Sequence, residues 1–277
     1  MTSILKICIV LLASLTLIGK TSAASSDWQD LGGGKARIFA VKDPLTNIVD
    51  GVIEVKLDKG WKTYWRSPGG SGIPPEFNFD GSNAFSLTHV TFPVPEWIEL
   101  NGAAFFGYKD HVSFVFSGMA EDFSTSINLD MLIGVCEEIC IPATANMSLS
   151  SEALNSSDPQ VPIRISLAKS KLPIDGDNQS GIVDFQLNDD MIIATLLSMG
   201  KSDQSRIVIA IDGVWTSDPI GFSKDDKGDF AAAIKLPPAI VQSGAVMQNW
   251  EYSLIQQSGE AHQVINAIES PFTISQN

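Results

Sequence analysis

Cysteine, histidine and basic residues are all scarce in this sequence of 277 residues. Its three cysteines are too few for the class of small secreted scaffolds that disulfides hold together. Lysine and arginine number 18 against 32 aspartate and glutamate residues, and the formal charge is −14. We therefore expect no nucleic-acid partner, because phosphates require a basic face. Beyond the N-terminal segment, no apolar run approaches the roughly 20 residues that span a bilayer.

The N-terminal segment has the pattern of a secretory signal. Lys6 precedes an uncharged apolar stretch over residues 7–18, and small residues follow it. A charged start, a short apolar core and a small-residue exit are typical of a cleaved leader, and this core is too short to span a membrane. We predict a signal peptide over residues 1–23, with cleavage after Ala23 or one residue later; an uncleaved anchor is the alternative. Cys8 leaves with the signal.

The rest of the chain is dominated by β-strand patterns. Residues 52–57 alternate apolar and polar side chains, which is the two-residue period of a half-buried strand. Other segments of this kind follow between Gly- and Pro-rich turns, and such regular short strands indicate a sandwich or barrel. A polar stretch over residues 154–159 and a short helix over residues 161–171 interrupt the pattern. We predict an all-β protein with an N-terminal β domain over residues 24–153 and a second β-sandwich-like domain over residues 154–277.

The two remaining cysteines, Cys136 and Cys140, are four positions apart. Bridged Cα atoms lie about 4.4–6.8 Å apart, whereas a straight strand separates such positions by about 13 Å. A disulfide therefore requires a bend at residues 137–139, and the tip of a hairpin that other thiols can reach is the simplest arrangement. Closing so short a loop contributes only about 2 kcal/mol, and accessible disulfides tend to be labile. These arguments favour a redox-active pair, while a structural staple and a metal-binding pair stay open.

Two glutamates, Glu137 and Glu138, lie between the cysteines. Negative charge disfavours a thiolate and raises the pKa of a neighbouring thiol. Because the thiolate is the nucleophile, this pair is not expected to attack other disulfides readily by itself. We predict instead that the thiol of a partner attacks this disulfide, or that a partner changes the electrostatic field around the pair.

Two aromatic segments precede the cysteines. Residues 60–76 read GWKTYWRSPGGSGIPPE, residues 105–109 read FFGYK, and the cysteines lie in a C-x3-C-I-P segment. Together these motifs resemble the N-terminal periplasmic domain of DsbD-type protein-disulfide reductases, and within that family the ScsB-like branch linked to suppression of copper sensitivity. The resemblance covers residues 28–150 with specific motifs and the second β domain more loosely.

This resemblance implies a fold, a function and partners. The family domain is immunoglobulin-like, and its cysteine pair receives electrons from a transmembrane partner and passes them to thioredoxin-like oxidoreductases of the periplasm. Carried onto this sequence, Cys136 and Cys140 form a reversible disulfide that needs no cofactor and no metal, and Cys140 forms the mixed disulfide with partners. The protein is then a periplasmic electron relay of the protein-disulfide-reductase type.

The resemblance also places four aromatic residues around the cysteines. Phe105, with Phe106 beside it, matches the tip of a loop that caps the pair in the family. Tyr64 and Trp65 match aromatic positions that flank the pair. The alternative is that these rings belong to the core or the edge of the sandwich, where aromatic side chains bury large apolar areas.

The sequence also departs from the family. Family chains continue into a membrane domain and a thioredoxin-like domain, whereas this sequence ends after the second β domain and has no C-x-x-C motif. We therefore expect the electron donor to be a separate membrane protein. Two other functions stay open: copper binding or copper tolerance through the reduced cysteines, since soft thiolates suit Cu(I), and a non-catalytic β-sandwich binding module with a structural disulfide.

Overall fold

A computed structural model describes residues 25–68, 72–100, 102–156, 158–175, 183–196, 205–211, 215–226, 228–243, 250–258, 261–267 and 275–276. The signal peptide predicted over residues 1–23 lies outside the described residues, and so do residues 69–71 of the first aromatic segment. None of the helices within the described ranges has the length and apolar character needed to cross a bilayer.

The N-terminal unit consists of two antiparallel β-sheets. Its strands are β1 Gln29–Asp30, β2 Gly34–Lys42, β3 Ile48–Leu57, β4 Lys62–Tyr64, β5 Glu76–Asn78, β6 Phe85–Thr91, β7 Glu96–Leu100, β8 Ala103–Lys109, β9 His111–Ala120, β10 Ile127–Cys136 and β11 Cys140–Leu149. The first sheet has five strands in the order β1-β2-β3-β9-β6. The second has six, in the order β11-β10-β4-β8-β7, with β5 also paired to β10.

The core of this unit lies between the two sheets. Ile53 and Val55 of β3 and Leu129 and Ile133 of β10 are buried there in one apolar cluster. Successive side chains of a strand point to opposite faces, so each strand contributes every second residue to this core. Full burial of such a side chain contributes about 1.5–3 kcal/mol. The predicted all-β class is confirmed.

Two short helices follow β11, namely α1 Ser151–Leu154 and α2 Gln160–Lys169. Helix α2 lies on the outer face of the first sheet, where Arg164 pairs with Glu54 at 2.6 Å and Lys169 with Asp50 at 2.7 Å. The predicted boundary at residue 153 assigns this helix to the second domain, whereas its ion pairs and its buried side chains attach it to the first. The apolar contact consists of Val161, Ile165 and Ala168 of the helix and Phe39, Val52 and Val115 of the sheet.

The C-terminal unit is also built from β-strands, which confirms the second β-sandwich-like domain. Its elements are β12 Ile174–Asp175, β13 Val183–Asn188, β14 Met191–Leu196, β15 Ser205–Ile211, β16 Trp215–Thr216, β17 Ile220–Gly221, β18 Ser223–Lys224, β19 Phe230–Lys235, α3 Pro238–Ser243, β20 Trp250–Ser258, β21 Ala261–Ala267 and β22 Ser275–Gln276. One sheet has the order β12-β21-β20-β15-β16 with β17 on β15, and the other has the order β18-β19-β14-β13-β22. Ile192, Ile207 and Ile234 lie in its own apolar core, while Val208 packs into the core of the N-terminal unit.

Candidate functional site

The two cysteines face each other at the end of the β10–β11 hairpin. Cys136 is the last residue of β10, Cys140 is the first of β11, and the two are direct cross-strand partners. They form a disulfide with their Cα atoms 4.1 Å apart, near the roughly 4.5 Å of a cross-strand pair without backbone hydrogen bonds between its members. The bend predicted at residues 137–139 is therefore confirmed, and it is the tip of the hairpin.

The two cysteines differ in their exposure. Cys136 is 0% exposed, whereas Cys140 is half-buried and is followed by Ile141, which is 39% exposed. At the tip, Ile139 is 76% exposed. The expectation of an accessible pair is thus met only in part by Cys140 and not by Cys136, because other buried side chains pack around Cys136. These side chains are those of Tyr64, Ile98 and Phe105.

Tyr64 brings a hydroxyl group to both sulfurs. Strand β4 pairs with the end of β10 through Thr63 opposite Val135 and Lys62 opposite Cys136. This pairing places the Tyr64 hydroxyl oxygen 2.9 Å from Cys140 Sγ and 3.2 Å from Cys136 Sγ. The sulfurs of a disulfide carry no hydrogen, so the hydroxyl is the donor. Burial raises the pKa of Tyr64 above its ordinary value of 10.0, which keeps this donor protonated at neutral pH.

Phe105 covers the same place with an apolar ring. It is buried, and its ring centroid lies 4.8 Å from that of Tyr64. Tyr64, Phe105, Cys136 and Ile98 form one buried cluster, with Cys140 packed against it. Ile98 was not anticipated from the sequence, although the alternating segment Glu96–Leu100 on β7 could have indicated an inward-facing residue.

Trp65 and Phe106 are placed differently from the expectation that they flank or cap the cysteines. Both are buried in the main core between the sheets, where their rings lie 5.6 Å apart. The physical reason is the alternation of side chains along a strand. Because Tyr64 and Phe105 point toward the cysteines, their neighbours Trp65 and Phe106 point to the opposite side.

Charges of both signs surround the hairpin tip. Glu137 and Glu138 are exposed, as their position between the cysteines suggested. Lys62, the cross-strand neighbour of Cys136, donates a hydrogen bond from Nζ to the Gly60 carbonyl at 2.7 Å. The electrostatic setting is therefore mixed and not purely acidic. Among the residues that the structure describes, no group of three or more His, Cys, Asp or Glu side chains could hold a metal ion.

The comparisons with known proteins agree with this architecture. A family model described as "Thiol:disulfide interchange protein DsbD, N-terminal" matches residues 35–152, which include strands β3 to β11, nearly all of β2, and both cysteines. The chain is also similar to the N-terminal periplasmic domain of ScsB from Proteus mirabilis, at 21% sequence identity and a TM-score of 0.68. That likeness covers 88% of this chain and 98% of that chain, and no curated protein sequence matches.

The structural likeness to the ScsB domain extends over both β units and supports the immunoglobulin-like fold of the first. The family match and the geometry of the cysteine hairpin coincide on the same segment. Over residues 35–152 the chain is therefore similar to the DsbD N-terminal family.

Proposed function

We propose that this protein is a periplasmic thiol–disulfide exchange component that carries electrons through a reversible Cys136–Cys140 disulfide. The observation that carries the proposal is the asymmetry of the pair. Cys140 at the hairpin tip is half-buried, Cys136 is fully buried, and the Tyr64 hydroxyl contacts both sulfurs. This arrangement distinguishes an attacked sulfur from a leaving sulfur, which a structural staple does not require.

The exchange follows from that asymmetry. The thiolate of a partner attacks Cys140 Sγ, a partner–Cys140 disulfide forms, the Cys136–Cys140 bond breaks, and Cys136 departs as a thiolate that takes up a proton. A second thiol of the partner then attacks the partner's own sulfur, loses its proton, and releases Cys140 as a thiolate that takes up a second proton. The partner dithiol has been oxidised to a disulfide, and the cysteine pair has gained two electrons and two protons. The reverse sequence delivers these electrons to an oxidised acceptor.

Tyr64 assists the step in which Cys136 leaves. A buried thiolate is costly unless hydrogen bonds satisfy it, and the Tyr64 hydroxyl lies 3.2 Å from Cys136 Sγ. A hydrogen bond to a charged group contributes about 1.5–3 kcal/mol, and thiols of lower pKa leave faster. Phe105 and Ile98 complete the apolar cluster around Cys136 and limit the access of water to it.

The geometry gives little support to the alternative that the Cys136–Cys140 disulfide is only a structural staple. The bridge joins strands that already pair along ten residue positions of β10 and β11. Closing a loop of this length contributes about 2 kcal/mol in the chain-entropy model. The sandwich has a large apolar core of its own, so stability does not explain why a disulfide is placed at the tip.

The family resemblance suggests the partners. We propose a separate membrane-bound thiol protein as electron donor and thioredoxin-like periplasmic oxidoreductases as acceptors. The exposed tip around Cys140, with Ile139 and Ile141 beside it, offers the contact surface for either partner.

The single-cysteine variants test the proposal. We expect reduced Cys136→Ala protein to form a mixed disulfide at Cys140 with oxidised glutathione, and also with an oxidised thioredoxin-like oxidoreductase. The matched control is Cys140→Ala, which retains only the buried Cys136. It should react at least about tenfold more slowly, because a buried thiol is inert toward a disulfide that cannot reach it. Mass spectrometry of the quenched mixtures measures both reactions, and equal rates for the two variants would overturn the assignment of Cys140.

A further inference from the structure

A glycine lies within the strand that carries Cys136. Gly134 is two residues before that cysteine on β10, directly opposite Pro142 of β11. Glycine in a strand interior weakens the strand and often marks a close approach by another group. Here the approaching group is the ring of Tyr64, since a Cβ atom at position 134 would lie 2.8 Å from both Cδ2 and Cε2 of that ring.

The ring of Tyr64 is held from several sides. A Cβ at position 134 would also lie 2.9 Å from Ile73 Cβ, and a Cβ at Gly72 would lie 3.0 Å from Tyr64 Cδ1. Phe105 contacts the ring with its centroid at 4.8 Å. Real Cβ atoms essentially never approach other heavy atoms to less than 3.0 Å, so the ring occupies space that any other residue at position 134 would need.

A hydrogen bond fixes the strand that carries Tyr64 to the same glycine. The Thr63 hydroxyl donates to the Gly134 carbonyl at 2.7 Å, and Thr63 is fully buried. Thr63, the residue before Tyr64, therefore connects strand β4 to the Gly134 carbonyl, while the Tyr64 ring lies over the same glycine. Both contacts determine where the Tyr64 hydroxyl meets the sulfurs.

We propose that Gly134 is a positioning residue for disulfide exchange. Because it has no side chain, the Tyr64 ring fits against it, and the Tyr64 hydroxyl is held at Cys136 and Cys140. This inference rests on the proposed function of the cysteine pair. A methyl group at position 134 displaces the ring, and the hydroxyl leaves the 2.9 Å and 3.2 Å positions from which it donates to the sulfurs. The departing Cys136 thiolate then loses its hydrogen-bond donor.

The test compares Gly134→Ala, Tyr64→Phe and the double variant by the rate at which dithiothreitol reduces the disulfide. We expect Tyr64→Phe to slow the reduction about tenfold or more, as the loss of a hydrogen bond to a charged group implies. Gly134→Ala should slow it in the same direction. The double variant should be reduced no more slowly than Tyr64→Phe alone, because Gly134 influences the reduction rate only by positioning the Tyr64 hydroxyl.

Gly51→Ala is the matched control. A Cβ at Gly51 would lie 2.2 Å from Cζ of Phe116, so this variant also forces an aromatic ring to move, but in the first sheet and away from the cysteines. It should lower the unfolding temperature while leaving the reduction rate unchanged. If Gly134→Ala proves unable to fold, Gly72→Ala presses on Pro68 and also on the same ring, at 3.0 Å from Tyr64 Cδ1. Any slowing that it causes through the ring should disappear in the Tyr64→Phe background.

The outcomes separate the inference from the proposed function. A wild-type reduction rate in folded Gly134→Ala, or an equal slowing by this change with and without the Tyr64 hydroxyl, overturns the role of Gly134. A slowing by Gly51→Ala as large as that by Gly134→Ala also overturns it, because general destabilisation would then suffice. If the wild-type disulfide is not reversibly reduced at all, the proposed function itself fails.

Discussion

The sulfur atoms of Cys136 and Cys140 have very different surroundings although they are bonded to each other. Cys136 Sγ belongs to a buried cluster with Tyr64 and Phe105, whereas Cys140 is half-buried at the beginning of β11. Reactivity at this site is thus a property of single residues: which sulfur can be reached, and which group stabilises the sulfur that leaves. The charge on the exposed hairpin tip is a further residue-scale influence.

At this scale we expect Glu137→Gln to lower the pKa of the Cys140 thiol in the reduced protein. Glu137 is exposed at the hairpin tip, and removal of a nearby like charge favours the thiolate. The pH dependence of alkylation by iodoacetamide measures this pKa in the Cys136→Ala background.

Glu121→Gln is the control for that change. Glu121 directly follows β9 and is near the start of β10, at the opposite end from Cys136, where it accepts a hydrogen bond from Ser86 Oγ at 3.4 Å. Neutralising it changes the total charge equally without affecting the tip. An equal shift in both variants, or no shift in Glu137→Gln, would show that the tip carboxylate does not influence the thiol.

Among the secondary-structure elements, helix α2 is attached to the first sheet by a carboxylate that several cations share. Glu54 of β3 accepts hydrogen bonds from Arg37 Nε at 2.7 Å and from Arg164 of the helix at 2.6 Å, and His111 Nε2 lies 3.3 Å away. Burial alone would raise the pKa of Glu54. The hydrogen bonds of His111 and Arg37 and the charges of Arg37 and Arg164 outweigh burial and lower the pKa to about 2.

This lowered pKa implies a pH-dependent stability. Because the folded-state pKa of about 2 is below the ordinary 4.5, ionised Glu54 stabilises the fold above pH 4.5, and that contribution is lost as the pH falls toward 2. A difference of this size corresponds to about 3 kcal/mol. We expect Glu54→Gln to lower the free energy of urea unfolding by roughly this amount at pH 7, and by progressively less below pH 4.5.

Asp50→Asn provides the comparison, since Asp50 pairs with Lys169 of the same helix at 2.7 Å but both side chains are more exposed than that of Glu54. An exposed pair of this kind contributes about 0–1 kcal/mol. If the two substitutions had equal effects, or if the effect of Glu54→Gln persisted unchanged at low pH, the buried carboxylate would not be the anchor of the helix.

For the molecule as a whole, the sequence was sufficient for the β architecture and for the cysteine hairpin. The segment between Cys136 and Cys140 had to bend, and alternation along residues 52–57 required a two-faced strand; both inferences depend on local geometry alone. The aromatic pairs were harder, because Tyr64 and Trp65 are adjacent and only the strand register decides which one faces the sulfurs. The packing of the Tyr64 ring against Gly134 depends on a contact between strands β4 and β10, which are distant in sequence.

The attachment of α2 was not predictable for a related reason. Residues 154–159 read as a linker and the helix after them as the start of a second domain. The apolar face of the helix consists of Val161, Ile165 and Ala168. Such a face can pack on any sheet, and no feature of the nearby sequence indicates whether that is a sheet of the first or of the second domain. Contacts distant in sequence, such as the pairing of Arg164 with Glu54, 110 positions earlier, identify the sheet on which the helix packs.

The central claim, that the Cys136–Cys140 bridge exchanges electrons, is tested most directly by its reduction potential. The protein is equilibrated in dithiothreitol buffers of graded potential and in glutathione buffers, and the oxidised fraction is measured by thiol alkylation and mass spectrometry. We expect one reversible two-electron transition with a midpoint above about −300 mV, the limit below which structural disulfides of secreted proteins are typically found. A bridge that stays oxidised well below that potential, or that does not re-form after reduction, would contradict the account and favour a structural staple.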